Sequence, residues 1–206
     1  MAGDAAETAE ALAVRDGRIL AIGPLASVRK AAGKKADMID LKGRTLLPGF
    51  IDAHTHLTSI DNDGGDLAVL KETPAHGAIY ATINAKKTLD AGFTTVREAG
   101  STDYVDVVVR DAITRGLIPG PRIHASGPAL GSTGGHADVN GWSPFLDVPG
   151  TGVIVDGADA VRKQVRTNVK YGADQIKIVA TGGTARLLQQ SGVPVQFVNK
   201  LLEGRP

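Results

Sequence analysis

The sequence predicts an α/β protein built around a parallel sheet, and three observations carry this prediction. Short β-branched runs alternate with helical patterns over residues 50–180, the order that is typical of a parallel βα series. Polar and titratable side chains fall at the C-terminal ends of those strands, where parallel sheets and barrels place their sites. The first 48 residues instead show short apolar runs separated by turns, which favours a small antiparallel β unit.

Two turn signals organise those first 48 residues. Asp16-Gly17 separates two apolar runs within Leu12–Gly23 and is a strong β-hairpin signal. Lys42-Gly43 separates a second pair of predicted short strands between Asp37 and Leu47. A helical turn is expected over 27–33, and residues 1–11 predict a frayed terminus or a short helix.

The rest of the chain reads as four βα-type strands with connecting helices. The strands are predicted at 50–56, 93–98, 121–127 and 173–180. The helices are predicted at 75–91, after a cap at Ser101, Thr102 or Asp103, and after a cap at Asp156. Polar or Gly-rich loops are expected over 58–73 and 128–155, and a loop as long as the second is usually functional or disordered.

The histidine pair at the end of the first of these strands is the strongest candidate site. Because side chains alternate along a strand, His54 and His56 point to the same face while Thr55 points to the other. A single histidine is more often structural than a ligand. Two imidazoles on one face, directly after an apolar run, favour a metal site.

Composition limits the other classes of function. The chain of 206 residues has 23 basic and 22 acidic residues mixed along its length and is 4% aromatic, which argues against a nucleic-acid partner. No apolar run predicts a membrane span, and residues 1–10 lack the order of a signal peptide, so a cytoplasmic location is expected. Without cysteines, a metal must be held by histidine, carboxylate or modified lysine.

Four motifs taken together resemble one known family. "LLPGFIDAHTHL", "AGFTTVREAG", "GPRIHASGPALGSTGGHAD" and "YGADQIKIVATGG" are similar to the metal-dependent amidohydrolase superfamily, in particular its imidazolonepropionase-like and Xaa-Pro dipeptidase-like branch. The resemblance covers about 12–183. It implies a partial TIM-type (β/α)8 barrel of about four βα units (49–183), preceded by part of a small β-sandwich (1–48) and followed by a divergent tail (184–206).

The resemblance also implies a site and a reaction. His54 and His56 match ligands of a divalent metal, usually zinc, and the complete enzyme of this branch holds two ions. Lys177 matches a lysine that reacts with CO2 to form a carbamate bridging the two metals. His136 matches a loop histidine that faces the substrate. The implied reaction is hydrolysis of carbon–nitrogen bonds in a small-molecule or dipeptide substrate, of cyclic amide or Xaa-Pro type.

The chain also departs from the family pattern. The family takes further histidine ligands from strands 5 and 6 and a catalytic aspartate from strand 8, and this chain has only His76 and His124 besides the three histidines already named. We therefore expect a truncated or frame-altered form that is inactive alone. Its open sheet edges predict association, including a homo-oligomer.

The residues alone leave several alternatives open. Lys177 has a simpler interpretation as a strand-end lysine that reaches solvent. Asp52 is either a carboxylate that orients an imidazole or a structural residue. Asp138 is a candidate partner for His136, whereas a structural ion pair is expected for Arg97 and Glu98. The glycine clusters 131–135 and 181–183 suggest a non-enzymatic anion-binding module, although neither has the spacing of a phosphate-binding loop.

Overall fold

A computed structural model describes residues 8–59, 68–150 and 152–179 of the chain. The chain divides into two compact units, Met1–Leu47 and Pro48–Pro206. The expectations for residues 1–7, for the glycine cluster 181–183 and for the tail 184–206 lie outside the described residues. Within the described ranges, no helix is both long enough and apolar enough to cross a membrane.

The first unit begins with the predicted β-hairpin. Strands β1 (Ala11–Arg15) and β2 (Arg18–Gly23) pair antiparallel. Asp16 and Gly17 have φ values of 52° and 71°, and positive φ at both central residues is the hairpin turn whose twist matches the strands. The hairpin prediction is therefore confirmed. Helix α1 (Leu25–Ala32) follows, where a helical turn is predicted.

The second predicted strand pair, between Asp37 and Leu47, is wrong. Lys42-Gly43 does form a turn, with the Arg44 amide donating to the Leu41 carbonyl at 3.0 Å, but no strand flanks it. Ile39 and Leu46 are exposed. A strand needs a partner for its backbone groups, and the described residues supply none for this segment.

The second unit is organised around a parallel sheet of three strands. In spatial order these are β3 (Phe50–Thr55), β4 (Phe93–Glu98) and β5 (Arg122–His124). Its helices are α2 (Ala68–Lys71), α3 (Pro74–Asp90), α4 (Val105–Thr114), which a 3₁₀ turn at Thr102–Tyr104 precedes, and α5 (Ala158–Lys170). The predicted parallel βα order is confirmed, and the three strands end at one edge of the sheet.

Apolar side chains between the sheet and two helices form the core of this unit. Val96 of β4 and Ile123 of β5 are buried at the middle of their strands. Helix α3 covers them with alanines that lie four residues apart and therefore share a helix face. Helix α4 covers them with valines. The buried cluster consists of Leu57, Ala81, Ala85, Val96, Val105, Val107, Val109, Ile123 and Ala125. Small residues let the helices approach the strands closely.

The long segment 128–155 holds two strands that the sequence does not predict. Strands β6 (Ala129–Gly131) and β7 (Gly152–Ile154) pair in parallel. Of the loop predicted at 58–73, residues 60–67 lie outside the described part of the chain, and α2 occupies Ala68–Lys71. Asp156 does not cap α5, whose N-cap is Gly157. Its carboxylate instead accepts hydrogen bonds from the amide and the hydroxyl of Thr133.

Over its described residues 173–179, the predicted strand at 173–180 forms one isolated bridge and no ladder. The Asp174 amide donates to the Ala125 carbonyl and the Val179 amide to the Leu130 carbonyl, both at 2.8 Å, and Ile178 forms an isolated parallel bridge with Leu130. An inner strand of a barrel pairs on both sides. The described residues provide a partner on one side only, so a full ladder does not form.

Two glycines of this unit give opposite expectations when they are changed to alanine. A Cβ at Gly49 would overlap the side chain of Thr94, whereas a Cβ at Gly77, inside α3, meets nothing closer than the Thr58 carbonyl at 3.4 Å. We expect Gly49→Ala to lower the free energy of unfolding by about 1–3 kcal/mol through overpacking. Gly77→Ala should raise it by about 0.5–1 kcal/mol, because alanine restricts the unfolded chain.

Urea denaturation followed by circular dichroism measures both values on the same instrument. Each variant serves as the control for the other, since both add one methyl group. A Gly49→Ala chain as stable as the wild type would contradict the steric argument.

Candidate functional site

The two histidines of the predicted metal motif lie side by side where β3 ends. The ring centroids of His54 and His56 are 5.4 Å apart, with the planes at 69°. Both residues are exposed. The parallel register pairs Thr55 of β3 with Glu98 of β4, so the imidazoles stand next to the end of the neighbouring strand. This edge-to-face pair presents two nitrogen donors on one side of the sheet edge.

Glu98, the last residue of β4, is a site residue that the sequence interpretation missed. Its side chain is 0% exposed. One carboxylate oxygen, Oε2, accepts a hydrogen bond from the Leu57 amide at 2.7 Å. The other, Oε1, lies 3.4 Å from Nδ1 of His56 and has no hydrogen bond within the described part of the chain. The expected ion pair with Arg97 is wrong, because Arg97 donates to the Ala53 carbonyl instead.

The charged side chains around His56 and Glu98 act on one another. Contact with the Glu98 carboxylate raises the pKa of His56, while partial burial and the positive charge of Lys177 oppose that shift. Burial raises the pKa of Glu98, and its contact with His56 works in the opposite direction. The opposition from Lys177 shows that its ammonium lies within electrostatic range of His56. The side chains of His56, Glu98 and Lys177 therefore act on one another within one small region.

Lys177 is held near the strand ends by its neighbours in sequence. Its carbonyl accepts a hydrogen bond from the Leu130 amide at 2.8 Å. Two residues earlier, the Gln175 side chain donates to the Glu98 carbonyl at 2.9 Å and to the His124 carbonyl at 3.1 Å. One carboxamide thus ties the segment that carries Lys177 to the ends of β4 and β5. Sequence reasoning gave no signal for Gln175, since amides are common near strand ends.

His136 lies in the loop between β6 and β7, and no contact in the described part of the chain joins it to the histidine pair. Its side chain is exposed. The suggested partner Asp138 bonds elsewhere, to the amides of Gly134 and Val139. The Thr133 amide is bonded to Asp156. Since carboxylates of the chain already occupy these loop amides, the loop 131–135 is not preformed to bind phosphate.

Two of the three remaining candidate residues have structural contacts. Asp52 accepts a hydrogen bond from the His54 amide at 2.9 Å, so it orders the backbone of the motif. His76 lies at the start of α3, as expected, and its Nδ1 accepts from the Thr73 amide at 3.0 Å, which caps the helix. His124 is exposed at the end of β5.

The donor set fits one part of a metal site. His54 and His56 supply two adjacent nitrogen ligands, and the orphaned oxygen of buried Glu98 marks a place where a polar or charged partner is expected. Among the described residues, no group of three or more His, Cys, Asp or Glu side chains is arranged to hold an ion. Among the described residues, the Lys177 amine is a candidate for a third protein ligand.

The chain matches a known protein family over most of its length. The amidohydrolase family model matches residues 45–196. The chain is 32% identical to ochratoxinase of Aspergillus niger over 154 residues, which cover 67% of this chain and 31% of that enzyme. It is 43% identical to imidazolonepropionase of Solibacter usitatus over 75 residues, covering 36% of this chain and 17% of that enzyme.

A solved structure gives the same result. A prolidase complexed with N-methylphosphonate-L-proline superposes with a TM-score of 0.68 at 34% identity, covering 81% of this chain and 40% of that one. The chain spans less than half the length of each of these relatives. The match over most of the chain confirms the resemblance drawn from the four motifs. This chain belongs to the amidohydrolase family.

Proposed function

We propose that this chain is part of a metal-dependent hydrolase that cleaves carbon–nitrogen bonds in cyclic amides or Xaa-Pro dipeptides. The observation that carries the proposal is the pair of imidazoles 5.4 Å apart at the end of β3, in a chain of the amidohydrolase family. Relatives named ochratoxinase, imidazolonepropionase and prolidase support a small-molecule or dipeptide substrate. The three parallel strands would form part of a TIM-type barrel, with the barrel half at 49–183, the β-sandwich part at 1–48 and the tail at 184–206.

Each candidate residue has a proposed role. His54 and His56 hold a zinc or other divalent ion through neutral imidazole nitrogen. Lys177 becomes a ligand when its neutral amine reacts with CO2 to form a carbamate, and nearby cations favour the neutral amine. His136 contacts the substrate, the role of the loop histidine that it matches in this family. When bound, the ion supplies a Lewis acid that polarises the scissile carbonyl.

The test of this function is hydrolysis by the longest gene product that contains these residues. A panel of Xaa-Pro dipeptides, N-acyl amino acids and cyclic amides is assayed with added Zn²⁺, after treatment with a chelator, and after Zn²⁺ is restored. We expect hydrolysis of at least one class, complete loss after chelation, and recovery on adding the metal. Activity that survives chelation would contradict the proposal.

The chain of 206 residues taken alone is expected to bind no more than one ion, weakly, and to show no measurable hydrolysis. A catalytic zinc site generally uses three protein ligands. Here two imidazoles are ready to bind, and Lys177 becomes a third ligand only as a carbamate. A lysine carbamate is labile unless metals hold it, so the carbamate and the second ion depend on each other. Elemental analysis after dialysis and carbon NMR with labelled bicarbonate measure both. Two tightly held equivalents of zinc together with a carbamate signal would show a more complete site.

A further inference from the structure

The contact between Glu98 and His56 joins a buried carboxylate to an exposed imidazole. Leu57 is a core residue, and its amide donates to Oε2 of Glu98 at 2.7 Å, which fixes the plane of the carboxylate. The second oxygen, Oε1, then faces Nδ1 of His56 at 3.4 Å. A shift of the ring by about 0.5 Å brings this pair to the usual length of a hydrogen bond to a charged group.

A second acceptor faces the same nitrogen. The Gly100 carbonyl oxygen lies 3.1 Å from Nδ1 of His56. Gly100 has φ 133°, a conformation that side chains rarely adopt, so glycine allows the carbonyl to point at the ring. An ionised carboxylate and a carbonyl both accept and do not donate. With two acceptors at Nδ1, the proton of the neutral imidazole belongs on Nδ1, and Nε2 keeps a free electron pair.

We propose that Glu98 is a positioning residue for His56. Its carboxylate, together with the Gly100 carbonyl, holds the imidazole proton on Nδ1 and so presents Nε2 as the donor to a divalent cation. Histidine ligands in metalloproteins commonly donate their other N–H to a carboxylate or carbonyl in this way. The use of Nε2 rests on the proposed function, whereas the tautomer rests on the contacts alone.

The change Glu98→Gln separates this role from a purely structural one. The glutamine oxygen replaces Oε2 and still accepts from the Leu57 amide, so the core contact survives. The glutamine NH2 then faces Nδ1 of His56 as a donor. This donor opposes a proton on Nδ1, which the Gly100 carbonyl still favours. The Nε2–H tautomer therefore gains population and blocks the electron pair. If Glu98 served only to bind the Leu57 amide, the tautomer would not change.

The experiment reads the tautomer by ¹H–¹⁵N correlation NMR of the full chain, labelled with ¹⁵N, without metal and at alkaline pH, where the imidazoles are neutral. The signals of His56 are identified by their absence in His56→Ala. We expect the Nδ1–H form in the wild type and a larger share of the Nε2–H form in Glu98→Gln. The control is Glu72→Gln, the same chemical change at a residue bonded to the Tyr80 hydroxyl, which should leave His56 unchanged.

Titration with Zn²⁺ alone provides the second measurement. We expect the affinity of Glu98→Gln to fall by about 10–100-fold, the usual effect of losing a partner of a metal ligand. A tautomer change in a chain that binds no zinc would support the positioning role and count against the proposed function. If the chain binds zinc but Glu98→Gln leaves the His56 tautomer unchanged, the proposed function is supported and the positioning role is contradicted.

Two results overturn the inference directly: an Nε2–H form in the wild type, or the same share of the Nδ1–H form in Glu98→Gln as in the wild type. If Glu98→Gln does not fold, Glu98→Asp is measured instead. Its carboxylate is one methylene shorter and retreats from the ring, so the Nδ1 proton should exchange with solvent faster than in the wild type. An unchanged exchange rate would overturn the inference as well.

Discussion

His54→Ala and His56→Ala are each expected to abolish detectable binding of a divalent ion by this chain. The two imidazoles are the nitrogen donors that stand together at the end of β3, and no described group of three His, Cys, Asp or Glu side chains offers a replacement site. Removing either imidazole leaves one donor beside an amine. Since zinc sites generally use at least three protein ligands, one imidazole is too few to hold the ion.

Titration with Co²⁺ followed by visible absorption measures the effect, because bound and free cobalt differ in colour and intensity. The wild type should show one weak site and both variants none. His124→Ala is the matched control, since it removes an exposed histidine at the end of a neighbouring strand. Equal cobalt binding by His54→Ala and the wild type would rule out a site at the strand end.

The histidine pair could be predicted from the sequence because it depends only on local geometry. Alternation along a strand puts residues two apart on one face, whatever the rest of the fold does. Glu98 could not be assigned in the same way. Its role follows from burial and from the register of β3 against β4, which are long-range properties. Beside Arg97 in the sequence, Glu98 suggests an ion pair, yet neighbours in a strand point to opposite faces.

The elements of the fold show the same division. The β1–β2 hairpin and helices α3, α4 and α5 carry their own signals in turn residues and apolar spacing, and the structure has them close to the predicted positions. The predicted N-caps of α4 and α5 are wrong, since their N-caps are Tyr104 and Gly157. The segment 37–47 has strand-like composition, but a strand forms only against a partner. The short strands β6 and β7 form although the sequence does not predict them, because three residues are too few to show the alternation of a strand.

Asp106→Ala is expected to cost about 3 kcal/mol of the free energy of unfolding, given about 1–3 kcal/mol for each buried donor left unpaired. Asp106 lies in the first turn of α4 and is 2% exposed. Its Oδ2 accepts from the amides of Ser126 and Gly127, both at 2.8 Å, and its Oδ1 accepts from the Val107 amide at 2.9 Å. One carboxylate therefore satisfies two amides where the chain leaves β5 and one in the first turn of α4.

The consequence reaches the candidate site, because the loop at 126–127 leads into β6, and Leu130 of β6 is bonded to the Lys177 carbonyl. Urea denaturation gives the stability of Asp106→Ala, Asp106→Asn and Asp111→Ala. The Asp106→Asn variant should lose less stability than the alanine variant, since its amide oxygen still accepts from the Ser126 and Gly127 amides. Asp111, on the same helix and 56% exposed, pairs with Arg110, and its removal should cost under about 1 kcal/mol. If Asp106→Ala matches Asp111→Ala in stability, the three amides find water when the carboxylate is gone, and Asp106 does not hold the loop in place.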